Sequence, residues 1–193
     1  MTEIETITGR HVCYAGPTPD QIAAEDIAAS LARQARFLGH YSGVYTVAQH
    51  SCFVHDLLVK WGCSPWVRLA GLLHDAAEAY MGDIPSPLKH MPQLAGYRQI
   101  EAGMETMIRR HFGISAEAWR WPNIKTADHA ACWAERKAGT FSRGAFAAIP
   151  CPPVLVPPVQ PCWNYDEARQ KFLHALESLM AAGVGVPERS IVA

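Results

Sequence analysis

LLHDAAEAY, residues 72–80, sets His74, Asp75 and Glu78 in a run that is otherwise apolar. Buried charge is costly unless it is paired or bound to a metal, so the run needs a ligand or a hydrogen-bond network. From Pro65, a favoured first-turn residue, to about Met81 the chain reads as one helix. Trp66, Val67, Leu69, Ala70, Leu72, Leu73, Ala76, Ala77, Ala79 and Tyr80 surround it. A helix apolar nearly all round belongs at the centre of a fold. His74, Asp75 and Glu78 lean to one side, beside Ala70, Gly71 and Ala77, whose small side chains leave room for something to approach. Glu78, at i+4 from His74 and i+3 from Asp75, lies one turn along, about 5–6 Å away on a helix surface. There it can orient or deprotonate a water. Two alternatives stand on these residues alone: a metal site, or a buried His-Asp-Glu network satisfied by hydrogen bonds.

The same dipeptide occurs as His55-Asp56 in FVHDLLVKW, residues 53–61. On a helix from about Thr46 to Trp61, at about 100° per residue, Val54, Leu57, Leu58 and Trp61 form one apolar stripe, and His50 lies on it. His55 and Asp56 do not, and Asp56 stands at i,i+4 from Lys60, a spacing typical of a solvated face. The upstream residue of interest is therefore His50.

The remaining chain is helix after helix. Residues 4–14, around a Thr-Gly turn, read as a small β-hairpin, and residues 21–38 as a helix with Asp20 a candidate cap. Residues 82–93, with prolines at 85, 87 and 92, read as a loop. A helix from Tyr97 ends at Gly113, a suitable C-cap, and another covers about Ile124–Ala138. IPCPPVLVPPVQP, residues 149–161, holds six prolines and reads as an extended tie. A last helix, YDEARQKFLHALESLM, closes the fold, and the tail from Gly183 reads as frayed. The expected class is all-α with one small N-terminal hairpin, a single domain over 193 residues.

Composition excludes several function classes. The net charge of -1 carries no basic footprint for nucleic acid. The six cysteines include no CxxC pair and read as reduced thiols, mostly core filler, in a cytoplasmic protein. The acidic N-terminus is no signal peptide, and no stretch reads as a membrane span.

One imidazole and one carboxylate hold a divalent ion poorly, since three or four N/O ligands are needed. His50 is the leading third ligand. For a second carboxylate the best candidate is Asp128 in NIKTADHAACWAER, although periodicity does not separate it from His129 next door.

YTVAQHS with His50, GLLHDAAEAYMGDIPSPLK with His74, Asp75, Glu78, Asp83 and Lys89, and KTAD with Asp128 together resemble the HD-domain metal-dependent phosphohydrolases. The resemblance covers roughly residues 22–138, with 139–161 a crossing segment and 162–182 the C-terminal helix. The HDxxE run with its D-x-P-x-P-x-K extension is most similar to the branch of deoxynucleoside 5′-monophosphatases and phage dATP triphosphohydrolases. It implies a helical HD bundle and one divalent ion (Co, Mn, Zn or Fe, with Mg possible) on His50, His74, Asp75 and Asp128. Glu78 would act with Asp75 as the catalytic pair, Glu78 working on the attacking water. The nucleotidase branch holds substrate with an Arg-Trp pair, and this chain has Arg36-Phe37 in that place, without the indole. Ala79 stands where alarmone hydrolases carry a second acid.

The expected reaction is hydrolysis of a small nucleotide, first a (deoxy)nucleoside 5′-monophosphate. The alternative is triphosphate release from a deoxynucleoside triphosphate, and outside catalysis a metal- or ligand-binding module. Arg33 and Arg36, i,i+3 on one expected helix, and Lys89, on a loop stiffened by prolines, are the candidate phosphate contacts. Asp83 is a candidate for a sugar hydroxyl or for capping a turn. Trp119 and Trp121 could stack on a base but suit packing better. Relatives of this kind make a homodimer the expected state, with the helix from Tyr97 to Gly113 leaving a face for it.

Overall fold

The computed structural model describes residues 2–139 and 156–183. Strands β1 (Glu3–Glu5) and β2 (His11–Cys13) pair antiparallel, with Ile4 opposite Val12, and Gly9 at φ 77° makes their turn. The hairpin is pinned by Asp26, whose carboxylate accepts from Thr6 Oγ1 (2.9 Å), Thr8 N (3.0 Å) and Thr8 Oγ1 (2.8 Å). Asp26 lies in α1 (Ala24–Leu31), whose N-cap is Ala23 rather than Asp20.

At the centre runs α2 (Val47–Lys60), capped by Thr46, whose Oγ1 accepts from Gln49 N at 3.2 Å. His50, Val54, Leu57 and Leu58 are fully buried on it, the stripe expected from periodicity. Against it pack α3 (Pro65–Leu72), α8 (Pro122–Ala138) and α9 (Tyr165–Ala181). Small residues set the spacing. A Cβ on Gly71 would lie 2.1 Å from Leu58 Cδ1, so only glycine lets α3 approach α2 this closely. On α8 the row Ala127, Ala130, Ala131 and Ala134 is buried and does the same work. Pro122 at its first turn fits the geometry there.

Two expected helices are interrupted. The helix over 65–81 ends at Leu72, passes through turns, and restarts as α4 (Glu78–Met81). Beyond Leu73 the amides bond three residues back: Ala76 to Leu73, Glu78 to Asp75, Ala79 to Ala76 and Tyr80 to Ala77. Tightening of this kind is typical of functional hinges within helical segments. The helix over 21–38 ends at Leu31 because Ala35 leaves to bridge Thr46, and Phe37 and Leu38 then adopt left-handed backbone at φ 57° and 55°. The loop at 82–93 contains a short α5 (Ser86–Lys89). Two longer-range helices match expectation closely: α6 (Ala95–His111), followed by Gly113 at φ 63°, and α9. A four-residue α7 (Ala116–Trp119) precedes α8. Trp119 packs against the core, and Trp121, 42% exposed, sits at the N-cap of α8.

Most of the proline-rich segment and the tail beyond Gly183 lie outside the described residues. Among the described residues no helix is long and apolar enough to cross a membrane. The five described cysteines are free thiols, with Cys52 and Cys63 buried, Cys13 and Cys132 half-buried and Cys162 exposed.

Candidate metal centre

Helix α2 carries His50, α8 carries Asp128, and the turns between α3 and α4 carry His74 and Asp75, so that the four side chains come together. The ligand-capable atoms of His50, His74 and Asp128 lie within 4.8 Å of one another. His50 Nε2 is 3.4 Å from Asp128 Oδ1 and 3.6 Å from Asp75 Oδ2. His74 Nε2 is 3.2 Å from Asp75 Oδ2 and 4.0 Å from Asp128 Oδ1. Both Nε2 atoms are buried, and among the described residues neither makes a geometrically good hydrogen bond. Buried polar atoms in folded proteins are nearly always satisfied, and these two nitrogens meet the same carboxylates only at ion-pair distances, so the cluster could hold a metal ion. His129, next to Asp128, faces solvent.

The opposite ring nitrogens are engaged. His74 Nδ1–H donates to Gly71 O at 2.8 Å, using a carbonyl at the point where α3 breaks. His50 Nδ1 pairs with Glu135 Oε1 at 2.6 Å. Each contact leaves Nε2 as the nitrogen turned toward the cluster, the second-partner arrangement typical of metal-ligating histidines.

Glu78 and Lys89 flank the cluster. Glu78 is 5% exposed, and its buried Oε2 has no hydrogen-bond partner among the described residues. Its Oε1 is 3.5 Å from Lys89 Nζ, which also donates to Glu101 Oε1 at 2.7 Å. Gln34 staples this side: its Nε2 donates to Ser30 Oγ (3.0 Å) and Glu78 O (2.8 Å), and its Oε1 accepts from Asp83 N (3.0 Å).

The electrostatics sort the acids into two groups. Burial works against ionisation of Asp75, but the His74 and His50 imidazoles more than offset it and hold its carboxyl well below the usual range. Burial acts likewise on Asp128, outweighed by His50, His74 and Lys125. Glu78 goes the other way: burial, then Asp75 and Asp83, push it up to about 9 against Lys89 and Arg36. Burial also raises Asp83. Burial and Arg36 depress the His50 imidazolium, yet Glu135 and Asp128 push it up to about 9.

The two expected arginines part company. Arg36 reaches the centre, with Nε 3.1 Å from Glu135 Oε2 and Nη1 3.7 Å from Asp75 Oδ2. Its guanidinium also lies 5.3 Å from the Phe37 ring, which stacks on Tyr41 at 5.7 Å. Arg33 does not join it. Its guanidinium stacks 3.9 Å above the Tyr165 ring and donates to Ala29 O at 3.0 Å. The expectation that both face one pocket fails because α1 ends at Leu31, so i,i+3 spacing no longer sets direction.

Sequence reasoning missed Glu135 and Gln34. Glu135 had a signal: at i+7 from Asp128 it lies two turns along on the same face of α8. Gln34 had none, since it belongs to no regular helix. His55 and Asp56 line a separate groove of about 1050 Å³, with Arg68, Trp163 and Lys171. Their 3.1 Å contact leaves Asp56 71% exposed, as its solvated spacing implied.

No family model matches the chain. Over 114 residues it is 38% identical to the uncharacterized protein YfdR of Escherichia coli strain K12, a match covering 59% of this chain and 60% of that protein. It is 37% identical over 114 residues to an uncharacterized protein of Rhodobacter capsulatus, covering 57% and 58% respectively. The chain therefore spans less than two thirds of the length of the curated relatives it matches.

Proposed function

We propose that the chain is an HD-type, divalent-metal-dependent phosphohydrolase acting on a small nucleotide, with deoxynucleoside 5′-monophosphates as its first substrates. The observation that carries this is the convergence of two buried Nε2 atoms on two ionised carboxylates at 3.2–4.0 Å, without a hydrogen bond of good geometry among the described residues, with Glu78 alongside. The donor set fits a divalent transition ion, since imidazole nitrogens and carboxylate oxygens suit Mn, Fe, Co or Zn. His50, His74, Asp75 and Asp128 would hold it. When bound, such an ion supplies Lewis acidity toward a phosphoryl oxygen and acidifies water for attack.

The chain's own residues do the rest. In its ionised form, which the charge of a bound metal ion would favour over the proton held in the metal-free site, Glu78 accepts the proton of the attacking water through Oε2. A new phosphorus–oxygen bond forms to that water as the bond to the sugar oxygen breaks, and the proton taken up by Glu78 passes to that oxygen, giving nucleoside and inorganic phosphate. Arg36 and Lys89 stabilise charge developing on the phosphoryl oxygens, and Asp83 accepts from a sugar hydroxyl. Arg36, Lys89 and Lys125 already neutralise carboxylates here, so little positive charge is left over. That balance favours a monophosphate over a triphosphate tail.

The test is a screen of purified protein with cobalt, manganese or zinc against a nucleotide panel, scoring phosphate and triphosphate release separately. Phosphate release from monophosphates, lost in Asp75→Ala, is the expected result. Metal bound without turnover of any nucleotide would indicate a binding module instead, and full activity in Asp75→Ala would sink the hydrolase assignment.

A further inference from the structure

Glu135 is fully buried on α8, where the other buried residues are Ile124 and four alanines. Its two oxygens are divided between different groups: Oε1 to His50 Nδ1 at 2.6 Å and Oε2 to Arg36 Nε at 3.1 Å. The Tyr45 hydroxyl is a further hydrogen-bond partner. Isolating a carboxylate from water costs several kcal/mol after relaxation, and an apolar residue would suit this helix face better for packing alone.

We infer that Glu135 is a positioning residue for two groups at once, holding His50 with Nε2 turned to the ligand cluster and Arg36 turned toward Asp75. The inference rests on the phosphohydrolase function proposed above. For His50 the argument is the ring's two-sidedness. An imidazole that gives its Nδ1–H to a carboxylate presents Nε2 as the free donor nitrogen, and the carboxylate fixes the ring's rotation. For Arg36 the argument is the backbone. No α-helix directs this side chain: Ala35 is in a bridge with Thr46, Arg36 N donates to Tyr45 O at 2.8 Å, and Arg36 opens a single 3-10 turn whose Phe37 and Leu38 are left-handed. Glu135 receives Arg36 through a directional hydrogen bond, while Asp75 lies at 3.7 Å, so the carboxylate on α8 aims the guanidinium. One residue thus couples a metal ligand to a cation for the phosphoryl group.

Glu135→Gln tests the coupling, because both partners are donors. An amide has one acceptor oxygen, so either His50 or Arg36 must face its NH2. Binding of cobalt(II) alone is measured by calorimetry and by the visible spectrum of the ion, with helicity checked by circular dichroism. The expected result is a metal dissociation constant about 10–100-fold weaker than wild type, a changed cobalt spectrum, and a raised KM at saturating metal. Glu135→Asp keeps the charge but shortens its reach, and should fall between the two in metal affinity. It keeps the question decidable if the glutamine variant does not fold. A merely structural role predicts a lowered melting temperature with wild-type metal affinity, spectrum and KM, and that outcome overturns the inference. Wild-type protein that binds no cobalt overturns the metal centre itself and this inference with it. Wild type that binds and turns over, with unchanged metal affinity in a folded variant, overturns only the role of Glu135.

Discussion

The His50 and His74 rings lie 5.3 Å apart between centroids, tilted by 55°, each with Nδ1 hydrogen-bonded and Nε2 turned to the carboxylates of Asp75 and Asp128. Two residues 24 positions apart, one on α2 and one in the turns after α3, present matched nitrogens to Asp75 and Asp128. An ion bound only by the folded state stabilises it by mass action, about 2.7 kcal/mol at one hundred times its dissociation constant. Manganese, cobalt or zinc should therefore raise the melting temperature by roughly 5–10 °C. His50→Ala and Asp128→Ala should abolish the shift, as read by thermal denaturation with and without metal.

Metal affinity should rise with pH. Glu135 and Asp128 push the His50 imidazolium up to about 9 over the opposing effects of burial and Arg36, so below that value a proton competes for its Nε2. Apparent affinity should climb by up to about tenfold per pH unit from 7 to 9 and then level off, with protons released on binding. Calorimetry in buffers of different ionisation enthalpy counts those protons. A flat affinity across this range would contradict the assignment of His50 as a ligand.

Glu78→Gln should stop turnover and yet stabilise the metal-free protein at neutral and alkaline pH. Burial, Asp75 and Asp83 push the Glu78 carboxyl up to about 9 from an ordinary 4.5. Between those values the native state binds the extra proton, so stability falls as pH rises. The contribution is complete below 4.5 and is lost by about 9. His50 acts in the same sense between 6.5 and about 9. Asp75, Asp128 and Glu135, all held low, give the opposite loss in acid. Denaturant titrations from pH 5 to 9 should show the wild type weakening and Glu78→Gln weakening less, with a gain on the order of 2 kcal/mol at pH 8.

Lys89 and Arg33 should separate cleanly in kinetics. Lys89 Nζ stands 3.5 Å from Glu78 Oε1 beside the centre. Its replacement by alanine removes charge-assisted contacts of about 1.5–3 kcal/mol, equivalent to a roughly 10–100-fold loss in kcat/KM for nucleotide. Arg33→Ala removes a stack on Tyr165, costing about 0.5–1 kcal/mol of stability and leaving KM unchanged. A raised KM in Arg33→Ala would return that residue to the site.

Gly71→Ala should disturb the centre from a distance. The new methyl meets Leu58 Cδ1 at 2.1 Å in a fully buried contact. Overpacking of this kind costs about 1–3 kcal/mol. Because Gly71 O also holds His74 Nδ1 at 2.8 Å, metal affinity should fall along with stability. Paired thermal and calorimetric measurements would show both losses.

Much of this was legible before any coordinates. The stripe of His50, Val54, Leu57 and Leu58 followed from helical periodicity, and so did the solvated character of Asp56. The hairpin, α6 with its Gly113 stop, and α9 followed from turn and capping residues. The break after Leu72 was not legible, because apolar periodicity runs unbroken from Pro65 to Tyr80 and the interruption comes from hydrogen bonding around Leu73–Ala77. Nor was the early end of α1, where the bridge between Ala35 and Thr46 overrides good helix formers.

By itself, then, the sequence determined an all-α chain with one small hairpin, a buried helix carrying His50, and an HD run too polar for its surroundings. Local spacing suffices for these, since each depends on residues within a turn or two. Tertiary structure alone decided that Arg36 enters the centre while Arg33 leaves it and that Glu135 stands behind both His50 and Arg36, and it set Asp128, already the leading carboxylate candidate, beside the two histidines where helical periodicity did not separate it from His129. These are contacts between residues as much as 99 positions apart, fixed by how closely alanine-lined α8 can approach α2, and no periodicity within either helix encodes that distance.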